Sequence, residues 1–157
     1  MPLQRLSILM AALWWGGNTG LSFVAVPTLF AKLGSPAVAG PVAAQLFSFQ
    51  CWIGLVLGTA LMLMLRRQRA SLSTDPSPQA LSDLRALLFT MALVALAVLL
   101  AMTQEFGVAR KIVTARATGG DLRLWHSLGS VLVLGQWLCA GSVLWRLAAP
   151  RRSASPA

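Results

Sequence analysis

The amino-acid sequence predicts an all-α fold, an integral membrane bundle of four transmembrane helices with both termini in the cytoplasm. Three observations carry this expectation. Of the 157 residues only 11% are charged and 57% are apolar, with a mean hydropathy of +0.72. A soluble domain carries roughly 25% charged residues and needs them to cover its outside. The charges here also fall between four uncharged runs, residues 6–31, 33–65, 86–104 and 127–145. Finally, the runs lack the short alternating segments that a transmembrane barrel requires.

The runs hold 26, 33, 19 and 19 residues. A helix rises about 1.5 Å per residue and the hydrocarbon core is about 30 Å thick, so roughly 20 residues suffice to cross. Backbone in lipid must satisfy its own hydrogen bonds, which runs this apolar do as helices. The expected spans are residues 6–30, 42–65, 85–104 and 124–147, all within one domain covering 1–149. The first follows Arg5 and has the outline of a secretory signal. However, Trp14-Trp15-Gly16-Gly17-Asn18 offers no small-x-small cleavage site and the apolar character continues to Phe30, so this helix is expected to be retained.

Gly34-Ser35-Pro36 and Gly40-Pro41 mark the first turn, with Pro36 positioned to start the second helix and Pro41 to bend it. Residues 66–84, rich in serine and proline, read as a cytoplasmic linker. Within it Ser77-Pro78 has the form of a cap and a first helical residue. The third helix is expected to leave the membrane and continue to about Ala117, before the break at Gly119-Gly120. Residues 150–157 read as a disordered tail.

A net charge of +9 raises the possibility of nucleic-acid binding, but all thirteen basic residues flank the apolar runs and form no single patch. The partners this implies are membrane lipids, including anionic headgroups, and no nucleic acid. On one side lie Arg5, Arg66, Arg67, Arg69, Arg85, Arg146, Arg151 and Arg152; on the other lie Lys32, Arg110, Lys111, Arg116 and Arg123. The two long loops tie, and the termini decide in favour of cytoplasmic ends in a bacterial inner membrane. Trp125 and Trp145, 20 residues apart, match the slab thickness of about 30 Å. Trp14, Trp15, Trp52 and Trp137 are expected deeper, in packing roles.

Small residues let helices approach closely in lipid, where no hydrophobic drive separates protein from solvent. Gly16-x-x-x-Gly20 and Gly54-x-x-x-Gly58 lie at overlapping depths in the first two helices and are expected to pack together. Cys51 and Cys139 differ in depth by six residues, about 9 Å, beyond the roughly 7 Å limit for a disulfide. They are expected to be free thiols. With two cysteines and one histidine there is no metal-ligand spacing.

Polar residues inside the spans are the most informative group: Asn18, Ser22, Gln45, Ser48, Gln50, Gln104, Glu105, His126 and Ser130. Most fall in the outer half of the bundle. Such groups face protein or water because facing lipid is expensive. Together they suggest an outward-opening polar pocket with Glu105 and His126 at its mouth, a pair able to exchange a proton or act as a pH-sensitive latch. The simpler alternative is a set of interhelical hydrogen bonds that fix the fold.

The stretch Leu13-Trp-Trp-Gly-Gly, then Phe23-Val-Ala-Val-Pro-Thr-Leu-Phe30, Ala37-Val-Ala-Gly-Pro-Val-Ala-Ala-Gln-Leu-Phe47 and Trp125-His126-Ser127-Leu128-Gly129-Ser130, resembles the transmembrane protein 205-like family, also known as domain of unknown function 4149. The likeness covers the first two helices well, the fourth in part and the linker not at all. It implies a four-helix integral membrane protein and brings no reaction or substrate. The family pattern has a small hydroxyl residue three positions after the histidine. Here Gly129 stands at that place and Ser130 one further on.

Two functions follow as expectations. One is a small-solute binding or transport bundle using the polar pocket; the other is a structural or accessory subunit that assembles with another membrane protein or with its own copies. An enzyme is not expected. Only four carboxylates exist, with Asp75 and Asp83 in the linker and Glu105 and Asp121 near the far surface, so no nucleophile–base–orienter set can be assembled. No cofactor is expected either, since a bis-histidine haem needs two histidines and the chain has only His126.

Overall fold

A computed structural model describes residues 2–72 and 77–149. Four helices account for nearly all of them: α1 (Leu3–Leu33), α2 (Pro36–Leu72), α3 (Pro78–Thr118) and α4 (Leu122–Ala148). Each is long and apolar enough to cross a membrane. All four extend beyond the expected spans. Residues 66–72, expected as linker, continue α2, because arginine, glutamine and leucine are good helix formers; residues 78–84, also counted in the linker, form the start of α3, where Ser77-Pro78 acts as the cap and first helical residue. The remaining linker residues 73–76 and the tail 150–157 lie outside the described residues.

The turns follow from local chemistry. Gly34 ends α1 at φ 63° and donates its N–H to the Phe30 carbonyl at 3.2 Å. The left-handed conformation there is one that glycine adopts without steric cost. Ser35 then accepts from Val38 and Ala39 N–H at 3.1 and 2.9 Å, launching α2 from Pro36. Ser77 Oγ caps α3 by accepting the Ala80 N–H at 3.1 Å. Gly119 closes α3 at φ 76°, and Asp121 caps α4 by accepting the Leu124 N–H at 3.0 Å.

Two helices change their winding midway. Residues Gly20–Ala25 of α1 and Thr103–Ala109 of α3 are π-helical. In α1 the cause is visible in the sequence. Pro27 has no N–H, and its ring presses on the carbonyl four residues earlier, which is Phe23 inside the widened turn.

Each helix packs on its neighbours in sequence, and α4 closes onto α1, giving an up-and-down ring. Ala11 and Trp14 of α1, Leu61 and Leu65 of α2, Val94 and Ala97 of α3, and Cys139, Ala140 and Val143 of α4 form the buried core. All lie in the half of the bundle that holds the chain ends. There Arg146 ties α4 to α3, donating to Thr90 Oγ1 at 3.0 Å and to the Ala86 carbonyl at 2.9 Å.

The glycine pairing differs from the expectation. Gly54 and Gly58 are buried, but what fills their groove is the Trp14 indole. A Cβ at Gly54 would lie 2.9 Å from Trp14 Nε1, and one at Gly58 2.6 Å from Val98 Cγ2 and 3.3 Å from Trp14 Cη2. Gly16 and Gly20 are exposed, and a Cβ at either would meet nothing within 4 Å. Counting depth matched the two pairs in height, but α1 is rotated so that Trp14 points inward while Gly16 and Gly20, on the opposite face, point out.

Both cysteines are free and buried, with Cys51 Sγ donating to the Ala101 carbonyl at 3.5 Å. Of the tryptophans, Trp145 is exposed, while Trp52 faces outward and meets Phe106 edge-on at 6.2 Å. Trp15 and Trp137 pair at 5.7 Å, and the Trp137 N–H donates to Thr19 Oγ1 at 2.9 Å. Three basic residues of the α3–α4 side also have local partners. Arg110 sits over the Phe106 ring at 5.6 Å, Lys111 over Trp125 at 6.0 Å, and Arg116 packs against Gly40. Cation–π contacts of this kind retain a positive side chain at an interface without an acidic partner.

Candidate functional site

Beside the core and on toward the opposite end of the bundle, polar side chains enter on three helices. On α1 the buried residue is Asn18, 2% exposed, with half-buried Ser22 one turn on. On α2 Ser48 and Gln50 are half-buried. On α3 the adjacent Gln104 and Glu105 are both half-buried within the π-helical segment and turn to different neighbours. Gln104 lies on Gly129 of α4, its amide atoms 3.3 Å from where a Cβ would stand. Glu105 reaches α2, where its Oε1 accepts the Ser48 hydroxyl at 2.7 Å.

A cavity of about 230 Å³ lies between α1 and α2. From α1 it is lined by Leu13, Trp14, Gly17, Asn18 and Leu21, and from α2 by Leu46, Phe49, Gln50 and Ile53. The spacing is helical on both sides, one face of each rod. Two polar side chains line it, Asn18 and Gln50, and each also has a buried atom without a hydrogen-bond partner, Asn18 Nδ2 and Gln50 Oε1. Ser22 Oγ and Gln104 Oε1 are unpartnered as well. A buried polar group left unmatched costs about 1–3 kcal/mol, and such groups are uncommon in folded proteins. Here four occur within one half of a small bundle.

The structure divides the sequence-derived set. It brings Asn18 and Gln50 together on one cavity, and it joins Ser48 to Glu105. Gln45 is exposed on the outward face of α2. His126 and Ser130 are exposed on α4, where Ser130 Oγ bonds back to the His126 carbonyl at 3.0 Å. Among the described residues no hydrogen bond or ion pair joins His126 to Glu105, so the expected carboxylate–imidazole mouth is not formed. The reason is geometric: similar depth does not bring two side chains together when one of them points away from the bundle. Sequence reasoning did not single out the apolar liners, although the i, i+3, i+4, i+7 pattern 46, 49, 50, 53 was open to view. Buried Gln136 of α4 also went unremarked.

Among the described residues no group of three or more histidine, cysteine or acidic side chains is placed to hold a metal ion. No curated protein and no solved structure matches the chain. A family model described as Domain of unknown function (DUF4149) matches residues 9–121, which takes in α1, α2 and α3. The match stops before the Trp125–Ser130 run, so that run contributes nothing to it. It attaches the DUF4149 description and not the transmembrane protein 205-like name. On this match over most of its length, the chain, with its four apolar helices, belongs to the DUF4149 family.

Proposed function

We propose that this membrane protein binds a small solute in the cavity between α1 and α2, without catalysing a reaction on it. The observation that carries the reading is one cavity, apolar but for Asn18 and Gln50, each of which keeps a buried side-chain atom without a hydrogen-bond partner. Ligand pockets are mostly apolar with a few placed polar groups that fix orientation, and this lining has that composition. The positive charge at the chain ends favours placing the cavity half toward the outer face of a bacterial inner membrane. Anionic headgroups then meet the arginines at the other end.

Gly17 supplies the test. It lines the cavity, and a Cβ there would meet nothing within 4 Å, so Gly17→Leu adds bulk at the cavity wall from an open starting point. A ligand raises stability by RT ln(1 + [L]/Kd). Thermal unfolding in detergent, across a chemically broad set of small molecules, is expected to show compounds that stabilise the native chain and not Gly17→Leu. If no compound separates the two proteins, the solute-binding reading falls. A second reading, assembly with another membrane protein, is favoured by the exposed Gly16 and Gly20 stripe. It predicts that bulky residues at those two positions change the oligomeric state and leave solute effects untouched.

A further inference from the structure

We infer that the seam between α2 and α3, at the end of the bundle away from the chain termini, holds an anionic phospholipid, its phosphate on Arg110 and Arg116 and its upper tails against Phe106 and Trp52. The cavity between α1 and α2 plays no part in it, and the inference does not rest on the solute-binding reading. Lys32, Arg110, Lys111, Arg116 and Arg123 gather at this end, and all five are exposed. The carboxylates nearby are already engaged, since Glu105 accepts from Ser48 and Asp121 caps α4. Among the described residues neither the Arg110 nor the Arg116 guanidinium makes a hydrogen bond or an ion pair. Each is nonetheless held in place. Arg116 lies on Gly40 of α2, its Nη2 and Nη1 2.9 and 3.3 Å from where a Cβ would stand, so the missing side chain gives it room. Arg110 stands over the Phe106 ring at 5.6 Å, and Phe106 meets Trp52 of α2 edge-on. A guanidinium held without an acceptor suits a phosphate, which its planar fork can bind through two oxygens.

Depth selects a lipid over a dissolved anion. Lys111 lies over the Trp125 ring at 6.0 Å, and a tryptophan at a helix end marks the edge of the hydrocarbon. Arg116 is five residues further along α3, about 7.5 Å, which is roughly the thickness of the headgroup layer on one side of a bilayer. Arg110 therefore sits at the boundary, with Phe106 one turn further in. Phe106 and Trp52 are 41% and 51% exposed, and together they offer an apolar wall to an acyl chain below the two arginines. A lipid of net negative charge answers the cations of this end, whereas a zwitterionic one brings its own cation into the same field.

The test uses the full chain in phosphatidylcholine nanodiscs doped with a probe lipid, either phosphatidylglycerol or phosphatidylcholine, that carries a diazirine high on one acyl chain. After irradiation, adducts are mapped by mass spectrometry. A basic residue at an anionic surface gives about a factor of five. Two of them predict that the phosphatidylglycerol probe labels residues 40–52 and 106–116 roughly twenty-five times more than the phosphatidylcholine probe. Excess untagged phosphatidylglycerol should remove that labelling, and excess inorganic phosphate should not. Arg110→Gln or Arg116→Gln should each lower it about fivefold, and the two together should bring the probes level. Arg66→Gln with Arg67→Gln removes the same charge at the other end of the bundle and should leave the labelling unchanged. The competition arms need no variant, so a misfolded substitution does not leave the inference unread. Equal labelling by the two probes, or an equal loss from the Arg66 and Arg67 pair, overturns the site. Displacement by inorganic phosphate overturns the lipid assignment, because the arginines would then serve a dissolved anion.

Discussion

Replacing Gly58 with alanine would place a Cβ 2.6 Å from Val98 Cγ2 and 3.3 Å from Trp14 Cη2. Apolar carbons rest about 3.5–4.0 Å apart, so roughly 1 Å must be found between α2 and α3. Trp14 is part of the buried core and Val98 packs against that core. Overpacking of this kind costs about 1–3 kcal/mol. At Gly54 the new methyl would stand 2.9 Å from Trp14 Nε1, and a similar loss is expected. The controls are Gly16→Ala and Gly20→Ala, whose added atoms enter open space; these should change stability by no more than about 0.5 kcal/mol. The assay is reversible unfolding in mixed micelles with increasing dodecyl sulfate, followed by tryptophan fluorescence and helical circular dichroism. The reasoning is refuted if the α1 substitutions cost more than those in α2. That result would mean α1 is turned with its glycines against α2, the arrangement that depth counting alone suggests.

Other consequences concern the polar half and the sidedness of the chain. Ser48→Ala leaves Glu105 without its 2.7 Å donor and should cost about 1–2 kcal/mol, whereas Glu105→Gln keeps an oxygen for Ser48 and should cost less; equal losses would show that the bond contributes little. His126→Ala should leave unfolding unchanged, because the residue is exposed and unattached to Glu105; a loss above about 1 kcal/mol would place it in a contact the structure does not contain. An alkaline phosphatase fusion after Ala157 should be silent in bacteria, as cytoplasmic ends require, and a bright fusion would reverse the orientation.

Much of the fold was legible because its physics is one-dimensional. Span number depends on uncharged run length, and the ends of α1 and α3 depend on Gly34 and Gly119, whose positive φ angles no other residue adopts as cheaply. Sequence also places each polar residue along its helix. It did not give the direction in which that residue points, since small errors in helix phase accumulate over thirty residues and tertiary contacts set the rest. Hence Asn18 and Gln50 meet a common cavity, while Gln45, His126 and Ser130, chosen on the same grounds, face outward. The π-helical turns were hidden for a related reason. Pro27 hints at the first, but nothing in residues 103–109 announces the second, which turns Gln104 and Glu105 to different partners. Trp14 shows the same limit: its size marked it as a packing residue, but only the assembled bundle reveals that Gly54 and Gly58 are small on its account.

The account turns on whether the unpartnered amides serve a ligand or the fold. Asn18→Leu decides this most directly, measured as unfolding free energy in the absence of added solute. If Asn18 is held for a ligand, removing its unmatched N–H should stabilise the empty protein by about 1–2 kcal/mol and erase stabilisation by any compound that acts on the native chain. If instead the substitution destabilises the protein by 1 kcal/mol or more, Asn18 is part of the helix-to-helix framework and the cavity is not a binding site.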